Sequence, residues 1–261
     1  MHRLVRFVLA LALLWPLAAF GQVQPHRAEY ALRLGGAANA PRIGTAVYDL
    51  TQDCTSWHIK RDIKTEIALT TSWRISIASK MEGDETRRAF RFSTVQTQNG
   101  NPREIKGRVQ RQEGETRAEI VFPEGPPSQF VLPSPTLFPV EAVNHLIERL
   151  RANAASFPAL VFDAEVIGDA FLVEVTKEDP GTLRAARPGE RPVAVPAGKS
   201  WPVFMIFTRG RQQDPRPLFS IHALVFENGV LDRLTVDTGL VSVTADLQAL
   251  DMHPVPTCPR S

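Results

Sequence analysis

Apolar residues recur at every second position along much of this chain, and that spacing limits what it can fold into. Trp57, Ile59, Ile63, Thr65, Ile67 and Leu69 occupy odd positions, with Lys60, Asp62, Lys64 and Glu66 between them. Trp73, Ile75, Ile77 and Met81 repeat the pattern, and Phe90 and Phe92 resume it on even positions. Phe171, Val173 and Val175 alternate with Leu172, Glu174 and Thr176. Val241, Val243, Ala245, Leu247 and Ala249 alternate near the C-terminus. A β-strand turns successive side chains to opposite faces, so the pattern predicts strands with one buried and one wet face.

The breaks between these runs carry turn residues. Asn99-Gly100 and Asn228-Gly229 predict type I′ hairpins, because Asn and Gly tolerate positive φ. Gly83 in Glu82-Gly83-Asp84 and Gly114 in Glu113-Gly114-Glu115 are weaker turn signals. Strand, turn and strand at intervals of about ten residues read as an antiparallel meander of roughly a dozen or more strands.

One segment departs from period two. Val140, Val143, Ile147 and Leu150 recur at helical spacing, with Leu146 widening the stripe, and predict a helix over 139–152. Pro139 suits its first position, Glu141 its positive end, and Arg149 and Arg151 its negative end. The prolines at 123, 126, 127, 133 and 135 mark irregular chain before it and raise a two-domain alternative. The preferred expectation is one continuous β structure, opened or wound around the helix. The stretch from Glu178 to Ser200 is expected to be a long exposed loop.

The N-terminus predicts export. His2, Arg3 and Arg6 form a short basic region, Val8 to Leu17 an apolar one, and Ala19-Phe20-Gly21 a cleavage site. The expected division is a signal peptide over 1–21 and a single exported β-rich domain over 22–261, with no transmembrane segment left after cleavage. The alternative is an uncleaved anchor, although the apolar run is short for a membrane span. No cysteine follows that run to accept a lipid.

Removing 21 of the 261 residues takes away Arg3 and Arg6 and leaves 28 basic against 28 acidic residues. Balanced charge offers no footprint for nucleic acid and no polybasic tract for anionic lipid. The only cysteines are Cys54 and Cys258. An even count in an exported chain favours pairing with each other, while free thiols and an intermolecular pair stay open.

Chemistry-bearing motifs are absent from the sequence. His26, His58, His145, His222 and His253 form no HxH, HExxH or HxxxH pair, so no metal is expected. There is no GxSxG elbow and no glycine-rich phosphate loop followed by lysine. Asp163 with Glu165, or Asp232 with Asp237, could supply an acid–base pair, and period two places the first pair on one strand face. Turn or solvent roles suit these acids better. Trp57, Trp73, Trp201, Phe204 and Phe207 could line an apolar groove, but core packing is their ordinary role. No cofactor or catalytic residue is expected.

Several strings, in order, resemble the cell-envelope integrity protein EipB family: His26-Arg27-Ala28-Glu29-Tyr30, Cys54 with Trp57, and Thr136-Leu137-Phe138-Pro139 leading into the helix. Val161-Phe162-Asp163, Trp201-Pro202-Val203, Phe226-Glu227-Asn228-Gly229-Val230 and the late Cys258 continue the series. The resemblance implies a mainly β fold, a single long, strongly bent antiparallel sheet (a β-spiral or open barrel) around one central helix. It also implies a disulfide between Cys54 and Cys258. The implied role is non-enzymatic support of envelope integrity and envelope-stress tolerance in the periplasm, through protein or envelope-component partners. The alternative is a carrier holding an apolar ligand such as a lipid within the curved sheet. Thr55-Ser56 depart from the glycine that relatives carry after the cysteine.

Overall fold

The computed structural model describes residues 23–68, 74–164, 169–188, 192–210 and 216–259. The expected signal segment 1–21, Gln22, Leu69, Trp73 and Glu165 lie outside the described residues.

The chain runs outward through β1 (His26–Leu34), β2 (Arg42–Gln52), β3 (Trp57–Ala68), β4 (Arg74–Glu85), β5 (Ala89–Gln98), β6 (Asn101–Gln112), β7 (Glu115–Val121) and β8 (Ser128–Leu132). It crosses through β9 (Thr136–Leu137) and helix α1 (Pro139–Arg151). It returns through β10 (Ser156–Val161), β11 (Phe171–Lys177), β12 (Ser200–Arg209), β13 (Phe219–Phe226), β14 (Leu231–Asp237) and β15 (Ser242–Met252). All 15 strands form one sheet, in the order β8 back to β1, then β15 back to β9. Pairing of β1 with β15, from His26 opposite Met252 to Leu34 opposite Val243, joins the two halves.

The outermost strands of that order, β8 and β9, are separated in sequence only by Pro133, Ser134 and Pro135. Two ends of one sheet can meet in this way only if the sheet curls through nearly a full turn. The result is a nearly closed barrel-like sheet around the one α-helix among the described residues, as the alternation and the resemblance led one to expect.

Residues opposite each other in a ladder share a face, so the register shows which side is inside. One inner row runs Ile59, Gly83, Phe92, Gly107, Ile120 across five strands. The facing wall carries Phe157, Val175, Met205, Ile221 and Val236. Phe162 fills the space between the walls. It is fully buried, with its ring 6.2 Å from Phe90 and 5.8 Å from Phe92. Helix α1 buries Val140, Ile147 and Leu150 in the same core.

Gly83 is therefore no turn residue. It lies inside β4, where an added Cβ would come within 2.6 Å of the Phe90 ring, and at Gly107 within 2.3 Å of the Phe92 ring. Both glycines clear room for aromatic rings lying on the inner surface of a bent sheet. Asn99-Gly100 and Glu113-Gly114 do form hairpin tips, each pair with positive φ at both residues. At Asn228-Gly229 only the glycine has positive φ, and Glu227 to Gly229 make a three-residue loop closed by the Phe226–Val230 pair.

Three further expectations are corrected. The segment 178–200 is not simply exposed: it starts with a 3-10 turn at Pro180–Thr182 and buries Leu183 and Arg187. Arg187 pairs with Asp246 at 2.9 Å and bonds Thr244 at 2.8 Å, while Arg184 also pairs with Asp246. Val193 and Val195 pack on a small cluster of Ala28, Val230 and Leu247. A charged pair fastens this loop to β15, which polarity averaged over the segment concealed. Alternation along β15 also breaks: Glu29 faces Ala249 but Tyr30 faces Leu247, so Gln248 is a bulge that turns Ala249 away from the core. Thr244 and Asp246 are buried on the face where solvent was expected. Finally, Asp163 follows β10 rather than lying in a strand.

Candidate functional site

The outer face of the first half is a ladder of opposite charges. Asp251, Arg27, Asp49, Lys60 and Glu82 sit side by side across five strands. Such alternation cancels the field of the surface and keeps it wet without favouring a polyanion.

One row further, the ladder meets the disulfide. Cys54 and Cys258 are bonded with Cα atoms 5.4 Å apart, and both residues are exposed. Asp53 closes the turn that carries Cys54. Its Oδ1 accepts the amides of Thr55 at 2.6 Å and Ser56 at 2.8 Å, and both hydroxyls donate to the same carboxylate. Thr55 and Ser56 thus fix the turn through side-chain and amide bonds to Asp53. The Thr55 amide and the His58 ring hold the Asp53 carboxyl well below the usual carboxylate range.

His58 on β3 bridges two carboxylates. Its Nε2 lies 2.9 Å from Asp53 Oδ2 and its Nδ1 2.6 Å from Asp84 Oδ1 on β4. Hydrogen bonds to Asp84 and then Asp53 raise its pKa above the ordinary value. The carboxylates sit on opposite ring nitrogens and so cannot converge on one metal ion.

A second outer feature is the end of the sheet. Strand β8 pairs with β7 on one side, and among the described residues no strand pairs with its other side. Its outward Val131 is 42% exposed. A shallow recess beside it is lined by Arg108, Gln110, Arg117, Glu119, Gln129 and Val131. Strand-edge amides and carbonyls, an apolar side chain and two guanidiniums there offer groups that an extended segment could use.

The interior holds few polar groups. Arg61 on β3 reaches Asp163 at 3.3 Å, which ties the first half to the second through the lumen. Burial pushes the Tyr48 phenol above its ordinary range. Glu85, at the end of β4, accepts the amides of Val140 at 2.7 Å and Glu141 at 2.9 Å. Phe138 precedes the helix and has no side-chain acceptor, so this distant carboxylate does the capping. Burial pushes Glu85 up to about 7 against the pull of those two amides.

The other residues singled out from the sequence take structural roles. Asp232 accepts the Leu247 amide and Asp237 the Gly239 amide, 3.0 and 2.7 Å away. Trp57, Trp201 and Phe207 belong to the core. Phe204 stacks on His222 at 4.3 Å on the outer face, and His222 bonds Glu178. His145 meets Phe157 edge-on, His253 bonds Asp49, and His26 is buried, which lowers its pKa. The Asp53–His58–Asp84 bridge escaped the sequence because Asp84 arrives only through the β3–β4 register.

A family model described as EipB-like matches residues 17–254. The chain belongs to the EipB-like family. Among EipB-like relatives, the cell envelope integrity protein EipB of Brucella abortus (strain 2308) is 28% identical over 154 residues. That alignment covers 58% of this chain and 53% of the relative, so it spans about half the length of the curated protein. A crystal structure of a beta-barrel-like protein of domain of unknown function DUF1849 from Brucella abortus superposes with a TM-score of 0.75. It is 21% identical, and the superposition covers 90% of this chain and 100% of that one. The EipB-like sheet is thus a shared architecture.

Proposed function

We propose that this EipB-like chain is a non-enzymatic periplasmic protein that supports cell-envelope integrity and envelope-stress tolerance through contacts with envelope proteins. The relative's name supports the cellular role. The unpaired β8 edge, with its outward Val131 and flanking arginines, is the observation that carries the contact mode. An extended partner segment adds a strand there and gains main-chain hydrogen bonds. Much of the inner wall packs on α1 and Phe162, which directs this contact mode to the outer surface and the sheet edge. Among the described residues no helix is long and apolar enough to cross a membrane.

The test is complementation of a deletion strain of the source bacterium. Val131→Lys adds a charge to the open edge at an exposed position, where folding stability changes by less than about 0.5 kcal/mol. The expected outcome is normal periplasmic abundance with loss of detergent resistance. Full complementation would remove the strand-addition reading.

One observation favours a second reading. On the inner face beyond the helix, Ile63, Ile67 and Ile75 are only half-buried and Ile77 is 43% exposed. An apolar ligand such as a lipid chain suits those side chains. Native mass spectrometry of protein recovered from the periplasm distinguishes the two: a lipid-sized adduct favours the carrier, and a bare polypeptide mass counts against it.

A further inference from the structure

We infer that His58 is a proton-dependent clamp that holds the turn carrying Cys54 rigid and so slows exchange of the exposed Cys54–Cys258 disulfide with thiols, and that loss of its second proton loosens it. The geometry carries this. Each ring nitrogen of His58 faces a different carboxylate oxygen, 2.9 Å at Asp53 and 2.6 Å at Asp84. Only the imidazolium donates from both nitrogens; the neutral ring has one N–H and must turn a lone pair toward a carboxylate. One arm of the bridge is then lost.

That arm matters because of what Asp53 holds. The same carboxylate gathers the amides and hydroxyls of Thr55 and Ser56, so it shapes the turn in which Cys54 sits. The bridge through His58 fastens this turn to Asp84 on β4. Among the described residues, the C-terminal segment near the disulfide is also tied by the His253 amide on the Pro25 carbonyl and by its ring on Asp49. Opening the disulfide therefore removes the covalent tie of the chain beyond His253 to the β2–β3 turn. Both cysteines are exposed, so an attacking thiolate can reach them.

The surrounding charges place the transition. Asp53 from the turn and Asp84 from β4 favour the imidazolium. Arg91 on β5, opposite Asp84, opposes it. Lys60, next along the same face of β3, is balanced by Asp49 on β2 and Glu82 on β4. The two hydrogen-bonded carboxylates outweigh the more distant cations and keep the clamp closed to higher pH than a free imidazole would. It opens as pH rises further.

The chemistry is exchange with a dithiol. A thiolate of the dithiol bonds to one sulfur, the Cys54–Cys258 bond breaks, and the other cysteine leaves as a thiolate that takes a proton from water. The second thiol of the dithiol then displaces the first cysteine. The dithiol ends as a disulfide, oxidised by two electrons, and Cys54 and Cys258 end as thiols.

The experiment compares intact protein with His58→Gln, whose neutral amide cannot bridge as an imidazolium does. Both are treated with dithiothreitol below denaturing conditions, quenched with iodoacetamide and counted by mass. Taking the ratio of the two rates at each pH cancels the ionisation of the reagent. At about pH 6 the variant should be reduced about tenfold faster, and the ratio should fall toward one at about pH 9.5. Asp84→Asn, which keeps the turn but weakens the second arm, should show the same convergence. A rate ratio independent of pH, or equal rates at every pH, overturns the clamp. Circular dichroism and melting of both variants separate a loosened turn from a loosened fold: faster reduction that tracks global unfolding also overturns it.

Discussion

Glu85 shows how one side chain can do work that no local motif announces. Its parity along β4 marks it as inward-facing, but only the tertiary structure supplies the helix end that it caps. Burial raises its folded pKa from 4.5 to about 7, so the folded state holds this proton more tightly than the unfolded chain. Its stabilising contribution is then complete below about 4.5 and declines as pH rises toward 7. Glu85→Gln cannot titrate. Its melting temperature should lack the fall that the parent shows over that window, and an unchanged slope would place the titration elsewhere. His58 illustrates the opposite limit. Asp53, five positions upstream, was within reach of a sequence reading, but Asp84 was not.

Among the elements, hairpins and helix were the legible parts. Helix α1 ends at Arg151, one residue short of the expected 152, because amphipathic spacing and end charges are local properties. Gly83 misled for an equally local reason: Glu-Gly-Asp is a turn composition, and the Phe90 ring that needs the missing Cβ belongs to the next strand. Gly107 is the sharper case, since Phe92 and Ile120 both lie within 2.8 Å of where a Cβ would be. Gly107→Ala should cost about 1–3 kcal/mol in denaturant unfolding, the usual penalty of overpacking. A neutral result would show that the Phe92 ring shifts freely. The loop around Arg187 was misread because composition sees proline and charge, whereas Asp246 turns that charge inward.

At the scale of the whole molecule, the disulfide joins the β2–β3 turn to the chain beyond β15, residues 204 positions apart. Closing a loop of that length removes unfolded-state freedom equivalent to roughly 5 kcal/mol, a large share of the stability of a typical domain. Cys54→Ser should lower the unfolding free energy by several kcal/mol, about 3–5, without changing the strand content seen by circular dichroism. A variant as stable as the oxidised parent would show that the sheet needs no such link. The sequence by itself determined the class of this fold: alternation, turn residues, one amphipathic segment and two cysteines all act over short range or by count. Only the tertiary structure decided that β8 and β9 meet after a nearly full turn, that Glu85 caps a helix 55 residues away, and that His58 lies between two carboxylates. Each of these depends on strand register and sheet curvature, which arise from many strands packed together and are written in no single segment.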